Sequence, residues 1–183
     1  KKMDAQTNVT STGQKIRTVD ITVTAAMAAL VFLGTYIFKI PTISGYVHLG
    51  DCMILLTVAL FGMKKGAIAG AIGGGLSDFI GGYFYWVVPT LLIKCMWAIV
   101  MGLIMHKVLK DKKGSFLIGA IAGGVLHIIA YTLVRVVLYG GKTAIIEIPA
   151  LAFQTGAGIV IGFVIYMLLK KSGVAGRLSG MVK

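Results

Sequence analysis

Seven side chains that carry charge or strong hydrogen-bonding capacity stand in otherwise apolar surroundings: Asp51, Asp78, Lys94, His127, Arg135, Glu147 and Gln154. Such groups are costly in an apolar medium and face a bundle interior or a cavity, paired with one another or with a ligand. Their spacing groups them. His127, Tyr131 and Arg135 recur at i, i+4 and i+8, and Thr90, Lys94 and Trp97 at i, i+4 and i+7, so each triplet shares one helix face. An internal Asp78–Lys94 ion pair competes with ligand contact as the use of these charges. The chemistry is recognition of a small polar molecule, or a proton path, and not covalent catalysis. No HExxH and no serine in a nucleophile elbow occurs, so no catalytic residue is assigned.

Two loop segments adjoin this set. Gly45–Asp51 reads GYVHLGD. Asp51 there suits the first turn of a helix, where a carboxylate meets the positive end of the dipole. Tyr46 and His48 precede it on a loop that can close over a ligand. Tyr83, Phe84, Tyr85 and Trp86 are four consecutive aromatics, which serve either as an interfacial belt or as the lining of a pocket.

The elements that position these groups are membrane helices. The chain is 57% hydrophobic and 13% charged, with mean hydropathy +0.92; a soluble domain carries about a quarter charged residues. Apolar runs near the ~20 residues needed to cross a bilayer recur along the chain, beyond what a single cleavable leader explains. Six spans are expected, over about 19–40, 49–63, 66–81, 89–108, 115–139 and 148–170, with Pro89 and Pro149 opening the fourth and sixth. Ten-residue alternation is absent, which excludes a barrel. The expectation is an all-α integral membrane protein with one transmembrane domain over 19–171, flanked by cytoplasmic tails at 1–18 and 172–183.

The net charge of +12 belongs to topology. With the N-terminus inside, the inner segments hold Lys1, Lys2, Lys15, Arg17, Lys64, Lys65, Lys107, Lys110, Lys112, Lys113, Lys170, Lys171, Arg177 and Lys183, while the outer loops hold Lys39 and Lys142. That asymmetry places both termini in the cytoplasm, with anionic lipid headgroups as counter-charge and no need for nucleic acid. At ~1.5 Å per residue, Lys94 lies roughly 7–8 Å below Pro89 and Asp78 roughly 18 Å above Gly66, so the polar set converges on the outer half.

Glycines at 62, 66, 70 and 74, and the pairs Gly119/Gly123 and Gly158/Gly162, make smooth strips for close helix packing within the chain. Ala25 to Ala29 is another small-residue surface, which packs inward or docks a partner. Gly140-Gly141-Lys142-Thr143 has Val136 where a phosphate-binding loop needs glycine, and Gly70 to Gly75 follows no strand, so the chain carries no nucleotide fingerprint. His48, His106 and His127 fall at different depths, and no metal site is expected. Cys52 and Cys95 read as buried free thiols. The Asn8-Val9-Thr10 sequon falls on the expected cytoplasmic tail and carries no weight.

The succession GYVHLGD, LFGMKKGAIAGAIGGGLSDFIGGY and VVPTLLIKCMWAIVMG resembles the substrate-binding S components of energy-coupling factor (ECF) vitamin transporters, in the group of riboflavin-type and hydroxymethylpyrimidine-type members. The resemblance covers about residues 20–170. It implies a six-helix subunit in the prokaryotic plasma membrane that captures a vitamin outside. Delivery inward requires a membrane-embedded T component and two cytosolic ABC-type ATPases, which use the ATP; no cofactor is implied for this chain. It further implies that Ala25 and Ala29 dock the T component. Ligand contact falls in the regions of Tyr46, His48, Lys94, Tyr131, Arg135 and Gln154, to which the boundary aromatics Tyr85 and Trp86 are added. The favoured ligand is a small pyrimidine or pyridine alcohol such as hydroxymethylpyrimidine or a pyridoxine-like compound. The competing reading is a self-sufficient secondary transporter or channel with Asp78, Glu147 and His127 as an ion path.

Overall fold

The computed structural model describes residues 17–43 and 45–182. The sequon and the first basic residues lie outside them. The order is α1 (Thr18–Tyr36), a hairpin of β1 (Ile40–Thr42) and β2 (Gly45–Val47), α2 (Asp51–Phe61), α3 (Met63–Ile80), α4 (Phe84–Gly102), α5 (Ser115–Tyr139), α6 (Gly141–Lys171) and α7 (Val174–Gly180).

Glycine contacts define how the helices run. A Cβ on Gly66 would strike Val58, and one on Gly70 would touch Ile54, so α2 and α3 descend and return side by side. Gly74 meets Thr90 and Lys94 while Gly102 meets Met63, which makes α3 and α4 antiparallel. Gly119 and Gly123 contact Met101 and Trp97, which does the same for α4 and α5. By contrast Gly158 meets Asp51 and Gly162 meets Cys52 and Leu55, so α2 and α6 run parallel. Successive helices therefore alternate in direction, and the glycine strips are consumed by packing within the chain.

Among the described residues, four helical segments are long and apolar enough to cross a bilayer: α1, α4 with its continuation to Val108, α5 and α6. At 11 residues α2 reaches only ~16 Å. It is nonetheless the most enclosed element, because α1, α3, α4 and α6 surround it. Trp97 anchors the core among Val31, Ile54, Leu55, Met101, Phe116 and Ala120, and its Nε1 donates to the Ala120 carbonyl at 3.1 Å. Outward faces carry exposed Leu30, Leu33, Ile68, Ile72, Ile121, Val125 and Val160, as helices facing lipid require.

Several boundaries differ from the sequence reading: the first helix, expected to about residue 40, ends at Tyr36 because Ile40–Thr42 pair with Gly45–Val47 in the hairpin. The fourth helix begins at Phe84, so Pro89 lies inside it. The sixth begins at Gly141, directly after the α5 terminus at Gly140 (φ 84°), so Pro149 is also internal. A missing N–H is harmless in a first helical turn, which is why the sequence alone points both prolines there. Helix α4 ends in a wider π turn over Leu103–Val108, seen in the Leu109 N–H bond to the Ile104 carbonyl at 2.8 Å. Finally, α7 is a short helix within the expected C-terminal tail.

Lys64, Lys65, Lys107, Lys110, Lys112, Lys113, Lys170, Lys171 and Arg177 all sit at one end of the bundle. The hairpin caps the other.

Candidate functional site

At the hairpin end, the C-terminal parts of α1, α3 and α5 and the N-terminal parts of α2, α4 and α6 surround a partly open cavity of about 40 Å³. Its polar lining comes from every one of these elements except α2, whose Asp51 lies just below.

The roof is the hairpin. Ile40 pairs with Val47 and Pro41 with Tyr46, which turns Tyr46 toward α3. Its hydroxyl donates to Asp78 Oδ1 at 2.5 Å. Lys39, at the base of the hairpin, places its ammonium 4.5 Å from the Tyr36 ring, 4.4 Å from Tyr46 and 5.4 Å from Tyr83. It also donates to the Ser77 carbonyl at 3.4 Å. Burial lowers the pKa of the Lys39 ammonium. Burial, reinforced by the Asp78 charge, raises that of the Tyr46 phenol.

The wall is aromatic. Trp86 stacks on Tyr131 with centroids 5.6 Å apart, and its Nε1 donates to the Tyr139 hydroxyl at 3.0 Å. Tyr131 donates to Thr90 Oγ1 at 3.0 Å. The Arg135 guanidinium lies 5.4 Å over the Trp86 ring and 3.5 Å from Glu147 Oε2.

The floor is a buried hydrogen-bond network. Lys94 pairs with Asp51, and both side chains are essentially inaccessible. Gln154 Nε2 donates to the second Asp51 oxygen at 2.7 Å, and Gln154 Oε1 accepts the His48 backbone N–H at 3.2 Å. The Thr155 hydroxyl donates to the Leu151 carbonyl at 2.8 Å, so its oxygen is left to accept from His127 Nδ1 at 3.0 Å. His127 Nε2 then carries no proton and faces the Lys94 ammonium at 3.3 Å. Glycine at 158 lets α6 approach this close, because a Cβ there would lie 2.9 Å from that of Asp51. His48 is itself buried, which lowers its imidazole pKa to about 3; Asp51 opposes the shift while Lys94 and Lys39 add to it.

Of the expected contact residues, Tyr46, His48, Trp86, Tyr131, Arg135 and Gln154 line the cavity. Two do not. Tyr85 is 82% exposed, since one helical step of about 100° carries it away from the side where Trp86 points inward. Lys94 lies beneath the cavity, held by Asp51 and His127. The Asp78–Lys94 pair that competed with ligand contact does not form; Lys94 pairs with Asp51 and Asp78 with Tyr46. Asp51 does open α2, but its carboxylate is spent on Lys94 and Gln154 and not on the helix dipole alone. His48 and His127, expected at different depths, both join the network around Asp51; His106 lies at the far end, bonded to Asp111 at 2.8 Å. Of the groups named as an ion path, Asp78 bonds to Tyr46, Glu147 pairs with Arg135, and His127 meets Lys94 through Nε2 and Thr155 through Nδ1.

Thr35, Asp78, Tyr83 and Thr90 also line the cavity; of these the sequence places Asp78 in the outer polar set and Tyr83 in the boundary aromatic run without naming either as a ligand contact. Thr90 was placed on the Lys94 face, and that spacing was the available signal. Thr35 gave none: a threonine in an apolar helix has the same appearance whether it meets lipid or a cavity.

A bundle of antiparallel apolar helices surrounding a charge-balanced polar cavity at one end defines a multi-pass membrane protein built to bind a small solute. Residues 15–171 match the family model described as ECF-type riboflavin transporter, S component. The chain belongs to this family of membrane-embedded substrate-binding transport components. A protein of Pyrococcus woesei described as "Uncharacterized protein in gap 3'region" is 36% identical over 132 residues, covering 72% of this chain and 87% of the relative.

Proposed function

We propose that the chain is the vitamin-capturing subunit of an ECF-type importer of a prokaryotic plasma membrane, with six spans and both termini cytoplasmic. The observation that carries this reading is the polar, aromatic-walled cavity at the end opposite the lysine-rich end. A positive-inside orientation turns that cavity outward. The charges in its lining are answered from within the chain, Arg135 by Glu147 and Asp78 by the Tyr46 hydroxyl with the Lys39 ammonium nearby, which favours a neutral ligand. Trp86 and Tyr131 offer flat apolar surface, while His48, Gln154 and Thr90 offer polar atoms to the edge of a heterocycle.

The ligand is a small pyrimidine or pyridine alcohol. A second reading, riboflavin, is favoured by the family description. Pockets for drug-sized ligands measure roughly 300–1,000 Å³, so either ligand requires the hairpin to move outward from the present 40 Å³, riboflavin by more. Ala25 and Ala29 lie exposed on α1 and form the docking face for a T component, which couples the chain to two cytosolic ATPases that consume ATP.

Native mass spectrometry of the purified protein, followed by titration with hydroxymethylpyrimidine, pyridoxine and riboflavin, tests the reading. One of them is expected to bind at sub-micromolar concentration. Absence of binding across all three overturns it.

A further inference from the structure

The floor of the cavity holds an imidazole whose hydrogen-bonding polarity is fixed by its neighbours. The Gly50 backbone N–H donates to His48 Nδ1 at 3.1 Å. Nδ1 is therefore the bare nitrogen, and the neutral ring carries its proton on Nε2. Nε2 meets the side-chain nitrogen Nε2 of Gln154 at 3.4 Å. That amide nitrogen is a donor as well, because Gln154 Oε1 is turned to the His48 backbone N–H and Gln154 Nε2 donates to Asp51. Two donors face each other, so this contact is no hydrogen bond.

His48 is 7% exposed and lines the cavity. A second buried lining atom, Thr35 Oγ1, also has no hydrogen-bond partner among the described residues. Buried polar atoms are normally satisfied, and leaving one unmade costs about 1–3 kcal/mol. The cavity is where the missing partner belongs.

We propose that His48 Nε2–H is the specificity-determining donor of this site, reading an acceptor such as a ring nitrogen or carbonyl oxygen on a flat heterocyclic ligand. The Asp51-oriented Gln154 amide denies it an internal acceptor. The inference rests on the cavity being the ligand site. It predicts that ligands are sorted by what they present to His48: a pyrimidine ring nitrogen is accepted, and a C–H in its place is refused. Asp51 and Gln154 act as positioning residues, because reversing the Gln154 amide would turn its oxygen toward Nε2 and quench the donor.

Two measurements on the full chain test this. The first is ¹⁵N NMR of histidine-labelled protein, with the His48 signals assigned by loss in His48→Gln. A protonated Nε2 and bare Nδ1 are expected, and a protonated Nδ1 overturns the inference whether or not any vitamin binds. The second compares hydroxymethylpyrimidine with its benzene counterpart, in which both ring nitrogens are C–H, by calorimetry. Wild type is expected to prefer the pyrimidine by about 10- to 100-fold, as a lost buried hydrogen bond implies. His48→Phe should bring the two ligands within about threefold, and His48→Gln, which restores an N–H near the Nε2 position, should recover most of the preference. An unchanged preference in His48→Phe overturns the inference while leaving the vitamin-binding reading intact. Failure of wild type to bind either probe, or riboflavin, overturns both.

Discussion

The ammonium of Lys94 on α4 is paired with the carboxylate of Asp51 on α2, and neither side chain reaches solvent. The pair lies directly beneath the cavity. It orients Gln154 on one side and His127 on the other, so one ion pair organises four helices.

Removing one partner leaves an uncompensated buried charge, at a cost of about 3–5 kcal/mol. Asp51→Ala and Lys94→Met are each expected to lower the thermal midpoint in detergent severely. The double variant should lose much less than the sum of the two. Additivity in that cycle would show that the charges do not interact.

The hairpin is held down by Tyr46 on Asp78 and by Lys39 among three tyrosine rings. Lys39→Met removes cation–π attraction of about 0.5–1 kcal/mol per close ring. Hydrogen exchange over residues 40–47 should accelerate, and ligand exchange should quicken, while the α2 and α4 amides stay protected. Unchanged exchange in the hairpin would contradict a latch at Lys39.

Burial holds His48 neutral, with a folded pKa near 3 against an ordinary 6.5. The unfolded chain therefore binds the extra proton first as pH falls. The stability that neutral His48 contributes is complete above about pH 6.5 and is lost as pH drops toward 3, with a slope approaching ~1.4 kcal/mol per unit. Ligand affinity should be flat from pH 8 to 7. His48→Gln is expected to flatten the acid limb of the melting profile between pH 6 and 4. An equally steep limb in that variant would assign it to another group.

Gly50 packs against α1 so closely that a Cβ would lie 2.1 Å from Thr35 Oγ1 and 2.8 Å from the Val31 carbonyl. Gly50→Ala should cost about 1–3 kcal/mol or more through overpacking. Gly176→Ala, with nothing within 4 Å, serves as the neutral comparison. Similar melting of both variants would refute the close approach of α1 and α2.

Ala25 and Ala29 face outward. Ala25→Leu with Ala29→Leu should abolish co-purification with a T component and leave ligand affinity unchanged. Assembly at the wild-type level would remove the docking assignment.

Composition and periodicity determined a great deal by themselves. Apolar runs separated by lysine-bearing turns dictated a helical membrane bundle and its two ends, because hydropathy and positive-charge placement are properties of local sequence. The α5 bounds, 115–139, were legible because a glycine stands just outside each end. The helix face carrying His127, Tyr131 and Arg135 was legible for the same local reason: i+4 spacing is fixed by helix geometry.

Partner choice was decided only by tertiary structure. Whether Lys94 meets Asp78 or Asp51 depends on how far α2 sinks between α4 and α6, and that depth is set by Gly158 against Asp51, more than a hundred residues away. Tyr85 and Trp86, adjacent in sequence, part company because α4 begins a turn earlier than Pro89 implied. GYVHLGD thus divides differently in space than along the chain. Tyr46 belongs to the roof and His48 to the floor, while Asp51 lies below both, orienting Gln154 beside the imidazole. Local sequence sets which groups are available to bind; the packing of non-neighbouring helices sets which are already satisfied and which still need a partner.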